Sequence, residues 1–303
     1  MATVPRKPRY TPAMLDFSAE RDAVPPKDAS TVVVVRDAAD GPEVFCVERH
    51  VRSGFLGGAV VFPGGKLADG DRSERWQRLT TPLSARSRSL AADESAARAF
   101  AVAALRELLE EAALLPVVGA HVDSERALSL RAELAERGRA TDESNAFADL
   151  LEAHDLVLDT ARLEGLARWV TPVAESRRYD TRFYLLSLDE EQAGAHDAHE
   201  TTQSFWATPR RVLARWEADE IFLAPPTSST LTTLAAARDV SHALELARAH
   251  SQEPICPYFV MDGEQAILAL PGDPLYPERH EVTADAPTRF VMRDGRFVAE
   301  RAP

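Results

Sequence analysis

The sequence predicts an α/β fold in which helices cover the faces of a mixed sheet and a β-rich appendage follows at the C-terminus. Three observations favour it. Residues 31–36 form a continuous β-branched run, which is typical of a strand buried on both faces. Residues 94–113 are rich in Ala and Leu, contain no Gly or Pro, and repeat apolar side chains at helical spacing. Strand-like and helix-like stretches then alternate along the chain, as they do in layered folds.

The remaining elements follow from local signals of turns, caps and periodicity. Further strands are predicted at residues 43–49, 59–62, 166–171, 181–188 and 202–207, and further helices at residues 124–137, 145–153, 209–216, 227–237 and 239–250. Two short strands flank Asp262-Gly263 and two more flank Asp294-Gly295, which predicts two β-hairpins near the C-terminus.

These elements predict a chain of three parts. An N-terminal arm at residues 1–29 precedes a main domain at residues 30–253, and a β-hairpin appendage occupies residues 254–303. Within the main domain, residues 68–93 are polar and are expected to be a surface insertion. Residues 121–163 are expected to be a helical insertion.

The composition limits the classes of partner. A formal net charge of -13 repels nucleic acid and anionic membranes, so we expect neither as a partner. The same charge repels anionic small molecules, and a phosphate-handling site would need local cations. We find no run of about 18 apolar residues and no apolar leader. Since Cys46 and Cys256 are the only cysteines, a reducing cytoplasm is the expected compartment.

The most informative feature is the acidic end of the helix predicted at residues 94–113. Glu107, Glu110 and Glu111 share one helical face, because they are spaced i, i+3 and i+4. Their repulsion costs roughly 0.2–0.5 kcal/mol per pair, and the C-terminal end of a helix is the unfavourable end for anions. A solvated acidic face screened by Arg106 is the plainer interpretation of this spacing alone. A bound Mg²⁺ or Mn²⁺ would remove the conflict, because these ions prefer carboxylate oxygens.

A second feature, Pro63-Gly64-Gly65, lies upstream of the helix. It is expected to form a tight turn, since glycine permits unusual backbone angles and close approach, and a backbone carbonyl freed there is a further metal ligand. Alone this tripeptide is a weak signal. Followed by the acidic helix end, it is much more specific.

Together the two features resemble the Nudix box, G-x5-E-x7-R-E-U-x-E-E-x-G-U, in which U is aliphatic. Gly65 matches the first glycine, and Arg106 begins the second half. The resemblance implies a Nudix-like α/β/α sandwich around a mixed sheet, which agrees with the order of elements. Residues 48–65, 168–172, 178–183 and 225–227 are similar to the branch with an interrupted box, which includes peroxisomal acyl-CoA diphosphatases.

The chain departs from the box at three points. Residues 66–105 replace the short spacer between the two halves. Arg98 stands where the first acid is expected, and Asp71 or Glu94 would have to substitute for that acid. Ala113 stands in place of the last glycine, a mild change if the helix runs one residue further.

The resemblance also implies roles for the residues of the box. Glu110 and Glu111 would bind Mg²⁺ or Mn²⁺ directly, and Glu107 would be a further ligand or act through water. The carbonyl of Gly64 would complete the set. Arg106 would hold the glutamates in register through charge-assisted hydrogen bonds.

Residues outside the box are candidates for the base and for substrate binding. Glu200 is the candidate general base, Glu175 is its rival, and an exposed loop acid is the alternative interpretation. Five cations would bind phosphates, although each also suits a structural or surface ion pair: Arg49, Arg52, Lys66, Arg178 and Arg182. Phe55, Trp169 and Phe183 would stack on a base or, more simply, pack in the core.

The expected activity is metal-dependent hydrolysis of a pyrophosphate linkage in a nucleoside diphosphate derivative, with CoA or acyl-CoA as the leading small-molecule substrate. One alternative is an ADP-ribose or NADH pyrophosphatase. Another is a catalytically weak nucleotide-binding regulatory module on the same scaffold. The intact glutamate triplet favours an enzyme over this module, and the resemblance is compatible with a homodimer.

Overall fold

The computed structural model describes residues 17–18, 22–53, 55–140, 145–188, 192–197, 200–278 and 286–303. Its strands are β1 (Lys27–Arg36), β2 (Glu43–Arg49), β3 (Val60–Val61), β4 (Gly64–Lys66), β5 (Val117–Val118), β6 (Val157–Leu158), β7 (Leu163–Val170), β8 (Tyr179–Ser187), β9 (Thr201–Ala207), β10 (Pro254–Ile255), β11 (Tyr258–Asp262), β12 (Gln265–Ala269), β13 (Arg289–Arg293) and β14 (Arg296–Glu300). Its helices are α1 (Trp76–Leu79), α2 (Ala85–Ser89), α3 (Glu94–Ala112), α4 (Ser124–Ala140), α5 (Ala146–Ala153), α6 (Pro209–Glu217), α7 (Pro225–Leu234) and α8 (Val240–Ala249).

A mixed sheet of eight strands forms the centre of the molecule, as the sequence predicts. Its main order is β10-β7-β8-β1-β2-β3, with β4 paired to β1 and β9 paired to β2. The long central pair, β1 and β8, is parallel, with Val33 opposite Leu185. The neighbouring pairs β1–β2 and β7–β8 are antiparallel.

The two faces of this sheet bury different helices, because alternate side chains of a strand point to opposite faces. Val32 and Val34 pack with the cluster that includes α3, α4 and α5. Val33 and Val35 pack with the cluster that includes α6, α7 and α8. The continuous valine run is therefore a strand buried on both faces, and the expected arrangement of helices on both sides of the sheet is confirmed.

The segment expected to be a polar surface insertion contributes to the core. Residues 68–93 contain a 3₁₀ turn (Asp69–Arg72) and the helices α1 and α2. The side chains of Trp76 and Leu90 are buried in the same cluster as α3. The Trp76 indole N–H donates to the carbonyl of Gly70 at 2.8 Å, which satisfies its polar group in the core. This mostly polar segment is therefore packed into the core through Trp76.

The N-terminal arm predicted at residues 1–29 falls mainly outside the described residues, which begin at Phe17 and omit residues 19–21. Where the chain is described, it is not an arm throughout. Residues 27–29 are the start of β1 and pair with β8. Phe17 forms a bridge with Glu175 and packs against the C-terminal strands.

The two predicted C-terminal hairpins form a single antiparallel sheet, in the order β11-β12-β13-β14. Leu268, Phe290 and Phe297 are buried with residues of the main sheet, so the appendage shares its core. The short strand β10 joins the main sheet next to β7, which sequence analysis did not predict. None of the described helices is long and apolar enough to cross a membrane.

Candidate active site

The helix α3 carries the predicted acidic residues on its last turns. Its start is fixed by Asp93, whose side chain accepts a hydrogen bond from the backbone N–H of Ala96 at 2.8 Å. Its end differs from our expectation that the helix would run through Ala113. The helix ends at Ala112, and Ala113 adopts the left-handed conformation with φ 50° and ψ 45°. This conformation explains why a glycine suits the last position of the box, and the alanine there carries local strain.

Arg106 is the centre of the ionic network. Its Nε and Nη2 donate to the two carboxylate oxygens of Asp71, each at 3.0 Å. Its Nη1 donates to Glu107 at 2.8 Å and to Glu110 at 3.0 Å, and its Nη2 also donates to the carbonyl of Lys66. One buried guanidinium therefore links α3 to β4 and to the 3₁₀ turn.

The missing first acid of the box has a spatial substitute. Asp71 is 3% exposed and forms the bidentate pair with Arg106. Glu94, the other candidate, instead forms an exposed i, i+4 pair with Arg98 at 3.1 Å. The geometry thus distinguishes two candidates that the sequence left open.

Gly64 and Gly65 lie in strand β4, not in the tight turn that the sequence suggested, and β4 pairs with β1. The backbone N–H of Gly64 donates to Glu111 Oε2 at 2.9 Å. A Cβ atom at Gly65 would lie 2.4 Å from the carboxylate carbon of Glu107. Glycine is needed at position 65 because the Glu107 carboxylate occupies the place of a side chain.

The carboxylates are held in an environment that disfavours their charged form. Burial raises the pKa of Glu111 to about 8, and repulsion by Glu107 adds to this effect. Burial raises the pKa of Glu110 to about 7 although Arg106 opposes it, and burial also raises the pKa of Glu107. Within the described residues, no group of three or more His, Cys, Asp or Glu side chains has the arrangement of a metal site. The carboxylates face Arg106, Arg49 and the β4 backbone instead.

A cleft of about 330 Å³ begins at this acidic cluster. Arg49, Lys66, Glu107 and Glu200 line it, together with many apolar and aromatic side chains. The aromatic candidates from the sequence, Phe55, Trp169 and Phe183, all belong to its lining. Phe55 contacts Tyr179 with the ring centroids 5.2 Å apart.

Three of the predicted residues outside the box meet at the acidic end of the cleft. Arg49 Nη1 lies 3.9 Å from Glu111 Oε1, and Arg49 Nε is buried without a hydrogen-bond partner in the described part of the chain. The charge of Glu200 contributes to the raised pKa of Glu107 and of Glu111. Lys66 is exposed beside Gly65. Two cations and one further carboxylate are thus close to the glutamates of the box, and their expected roles stay predictions.

The other predicted residues lie elsewhere. Arg178 donates to the backbone carbonyls of Thr171 and Val24, and Arg182 donates to that of Leu90. Both guanidinium groups are buried and do not line the cleft, so their expected role as phosphate ligands stays a prediction that this geometry does not favour.

Arg52 and Glu175 are also displaced from the cleft. Arg52 is exposed in the turn that follows β2, and it is absent from the lining of the cleft. Glu175, the rival base, is buried and accepts hydrogen bonds from the backbone N–H and hydroxyl of Ser176. Neither residue lies at the acidic end of the cleft, and the roles suggested for them stay predictions.

Residues distant in the sequence complete the cleft, and no candidate named above included them. Phe17 and the C-terminal residues Pro257 and Leu268 line it. They carry no motif, and they are far from the box in sequence, so no local signal identifies them. Only the packing of the C-terminal sheet against the main sheet brings them to the site.

Comparison with known proteins identifies the class of this fold and site. The model of the NUDT19 Nudix domain matches residues 84–234, a range that contains the whole of α3. The crystal structure of a Nudix hydrolase from Alicyclobacillus acidocaldarius is 31% identical in sequence and has a TM-score of 0.63, covering 73% of this chain and 96% of that one.

Curated relatives extend the similarity over most of the chain. The acyl-coenzyme A diphosphatase NUDT19 of Gallus gallus is 31% identical over 299 residues, which cover 85% of this chain and 78% of the relative. The NUDT19 protein of Homo sapiens is 26% identical over 302 residues, covering 85% and 80%. The chain belongs to the Nudix hydrolase family, in its acyl-CoA diphosphatase branch. It is a Nudix pyrophosphohydrolase, of a family that generally uses divalent metal ions.

Proposed function

We propose that this protein hydrolyses the diphosphate bond of CoA or acyl-CoA, using Mg²⁺ or Mn²⁺. The observation that carries the proposal is the group of carboxylates Glu107, Glu110 and Glu111 on the last turns of α3, of which Glu107 lines the charged end of an otherwise mainly apolar cleft. The names of the curated relatives, acyl-coenzyme A diphosphatases, support the substrate class.

The chemistry of the donor set fits a divalent cation. Three carboxylates, those of Asp71, Glu107 and Glu110, pair with the guanidinium of Arg106. Glu111 lies beside them and, among the described residues, has only the more distant Arg49 as a cation, and burial resists the ionisation of the three glutamates. A hard divalent cation would compensate this excess of negative charge through oxygen ligands. Glu110 and Glu111 would bind it after rotating away from their present partners, with Glu107 and the carbonyl of Gly64 as further ligands.

The chain's own residues would perform the remaining tasks of the reaction. When bound, the metal ion supplies neutralisation of phosphate charge and activation of water. Arg106 keeps the glutamates in register through its bonds to α3 and β4. Arg49 and Lys66 would hold the phosphate oxygens, and the unpartnered Nε of Arg49 is a donor ready for this role. Glu200 would accept the proton of the attacking water.

The test is a substrate panel with matched variants. Purified protein with Mg²⁺ or Mn²⁺ is assayed against CoA esters, ADP-ribose, NADH and dinucleoside polyphosphates. Glu110→Gln and Glu111→Gln are expected to lower turnover by on the order of 10²-fold or more, since each removes a charged metal ligand. Glu94→Gln, on the same helix but paired with Arg98 at its exposed start, is the control and is expected to retain activity.

Each outcome of this panel decides between named alternatives. Turnover of ADP-ribose or NADH in preference to CoA would identify the other pyrophosphatase class. The absence of metal-dependent turnover on every compound would favour the nucleotide-binding regulatory module. Turnover that survives both glutamine substitutions would contradict the assignment of the site.

Three further expectations stay predictions, and each has its own measurement. The boundary between residues 30–253 and 254–303 is tested by limited proteolysis. Light scattering after gel filtration tests the homodimer. Fractionation of cells that express the chain tests the cytoplasmic location.

A further inference from the structure

The cleft has a charged end and an uncharged end. Among the described residues that line it, the charged side chains are Arg49, Lys66, Glu107 and Glu200. All four belong to the acidic end, since Lys66 follows Gly65 in β4 and Arg49 approaches Glu111. The rest of the lining is apolar, aromatic or hydroxylic.

The direction of the cleft follows from the order of the strands. Gly65 of β4 is opposite Ser30 of β1, β1 pairs with β8, and Thr181 of β8 is opposite Trp169 of β7. All of these residues line the cleft. Since neighbouring strands are about 4.8 Å apart, three steps from β4 to β7 give a length of about 14 Å.

The uncharged end is lined by residues from both ends of the chain. Leu268 and Pro257 come from the C-terminal segment and Phe17 from the N-terminal segment. The ring of Phe17 is stacked on that of Phe259, with centroids 4.9 Å apart and an interplanar angle of 14°. It also meets Phe297 edge-on. The C-terminal sheet therefore supports this wall directly and through Phe17.

The two halves of CoA differ in a way that matches the two ends of the cleft. On one side of the diphosphate is adenosine with its additional 3′-phosphate, and on the other is pantetheine, an uncharged chain with two amides that ends in the thiol or acyl thioester. A phosphate placed at the uncharged end would be desolvated without a cation, which is costly. Pantetheine would place its amides near the hydroxyls of Thr31 and Thr181, which line the middle of the cleft.

We propose that the pantetheine and acyl portion of the substrate lies along the cleft from β4 to β7, and that Leu268 and Phe17 limit the length of acyl chain that is accepted. This inference rests on the proposed function. It assigns to the C-terminal sheet a role in specificity, because that sheet supplies the wall against which the end of the acyl chain packs.

The test compares truncations at two neighbouring buried positions of β12. Leu268 is 2% exposed and lines the cleft, whereas Ile267 is 1% exposed and does not line it. Leu268→Ala and Ile267→Ala thus remove similar buried volume from the same strand. For each variant, kcat/KM is measured with free CoA and with acyl-CoAs of increasing chain length, and melting curves establish that the protein is folded.

The preference for acyl-chain length is expected to shift only in the variants of residues that line the cleft, Leu268 and Phe17. Leu268→Ala moves the optimum towards longer chains by about three methylenes, each newly buried methylene raising kcat/KM about fourfold. Phe17→Ala, which lies outside the C-terminal sheet, moves the optimum chain length in the same direction. It replaces Leu268→Ala as the test variant if that variant does not fold. Ile267→Ala keeps the wild-type chain-length profile and the wild-type turnover of free CoA.

The outcomes separate this inference from the function on which it rests. A wild-type enzyme that does not hydrolyse CoA would overturn the proposed function and the inference with it. Hydrolysis of CoA with one chain-length profile in wild type, Leu268→Ala and Phe17→Ala would overturn the inference alone. So would an equal shift in Ile267→Ala, because the effect would then be general loosening of the C-terminal sheet.

Discussion

The substitution Gly65→Ala is expected to displace the Glu107 carboxylate without destabilising the fold. An alanine Cβ would lie 2.4 Å from both Cδ and Oε1 of Glu107. To regain an ordinary contact of about 3.5 Å, the carboxylate must move by about 1 Å. The movement is opposed by Arg106, which holds Oε1 of Glu107 at 2.8 Å. The strain therefore falls on the site, at the end of one side chain.

The magnitude follows from this displacement. A 1 Å misplacement of a catalytic group costs on the order of 10²-fold in rate, so kcat/KM for CoA hydrolysis should fall by about that factor. Mn²⁺ affinity, measured by titration calorimetry without substrate, should fall as well. The melting temperature should change little, because the clash is with the tip of a side chain and the backbone at Gly65 is not in the left-handed region.

Two comparisons sharpen this experiment. Gly263→Ala adds a methyl group at an open turn with φ +60°, so it should lower stability and leave activity unchanged. In a Glu107→Ala background, Gly65→Ala should have no further effect on Mn²⁺ affinity, because the clashing group is gone. Activity of Gly65→Ala within threefold of wild type, with unchanged Mn²⁺ affinity, would refute the reasoning.

Three further predictions concern the charged residues of the site. Asp71→Ala should cost about 1.5–3 kcal/mol in urea unfolding, because it removes the two charge-assisted hydrogen bonds from Arg106 and leaves that guanidinium with Glu107, Glu110 and the Lys66 carbonyl. Arg98→Ala breaks an exposed pair and should cost less than about 1 kcal/mol. Equal costs for the two variants would contradict the bracing role of Asp71. Arg49→Ala should raise the KM for CoA by about 10- to 100-fold with little change in melting temperature. Arg182→Ala should lower the melting temperature and leave the KM unchanged. The reverse pattern would identify Arg182 as a substrate ligand. Burial raises the pKa of Glu111 from 4.5 to about 8, so the folded metal-free protein binds more protons than the unfolded chain in this window and loses stability as pH rises through it. Mg²⁺ or Mn²⁺ should therefore raise the melting temperature more at about pH 8.5 than at about pH 5.5, and equal shifts would argue against that carboxylate as a ligand.

The parts of the fold that the sequence predicts are those with a strong local pattern. The valine run of β1 and the alanine- and leucine-rich α3 bury most of their side chains, so their composition reflects burial directly. The helix α1 gives no such signal, since only Trp76 and Leu79 of its four residues are buried, within a mostly polar segment. The strand β10 has only two residues, and its pairing with β7 depends on the surrounding fold.

The candidate site shows the same division between local and distant information. Helical spacing places Glu107, Glu110 and Glu111 on one turn of α3, and this could be predicted. Arg49 and Arg182 were equivalent candidates in the sequence, because the residue type is the same for a phosphate ligand and a structural brace. Their partners differ: Arg182 donates to backbone carbonyls and pairs with Asp28 and Asp180, whereas Arg49 lies at the acidic end of the cleft. Those partners are supplied by distant segments.

The interrupted box shows why a linear motif can be broken without loss of its geometry. Arg106 donates to Asp71 and to the carbonyl of Lys66, so hydrogen bonds join the two halves of the motif across the inserted residues. These bonds hold the two ends of the inserted segment close together. A longer loop between fixed ends costs little additional entropy. The burial of Trp76 in this segment offsets part of that cost. The box is therefore a set of contacts around one arginine, and Arg98, which the linear spacing marks as a defect, lies outside that set.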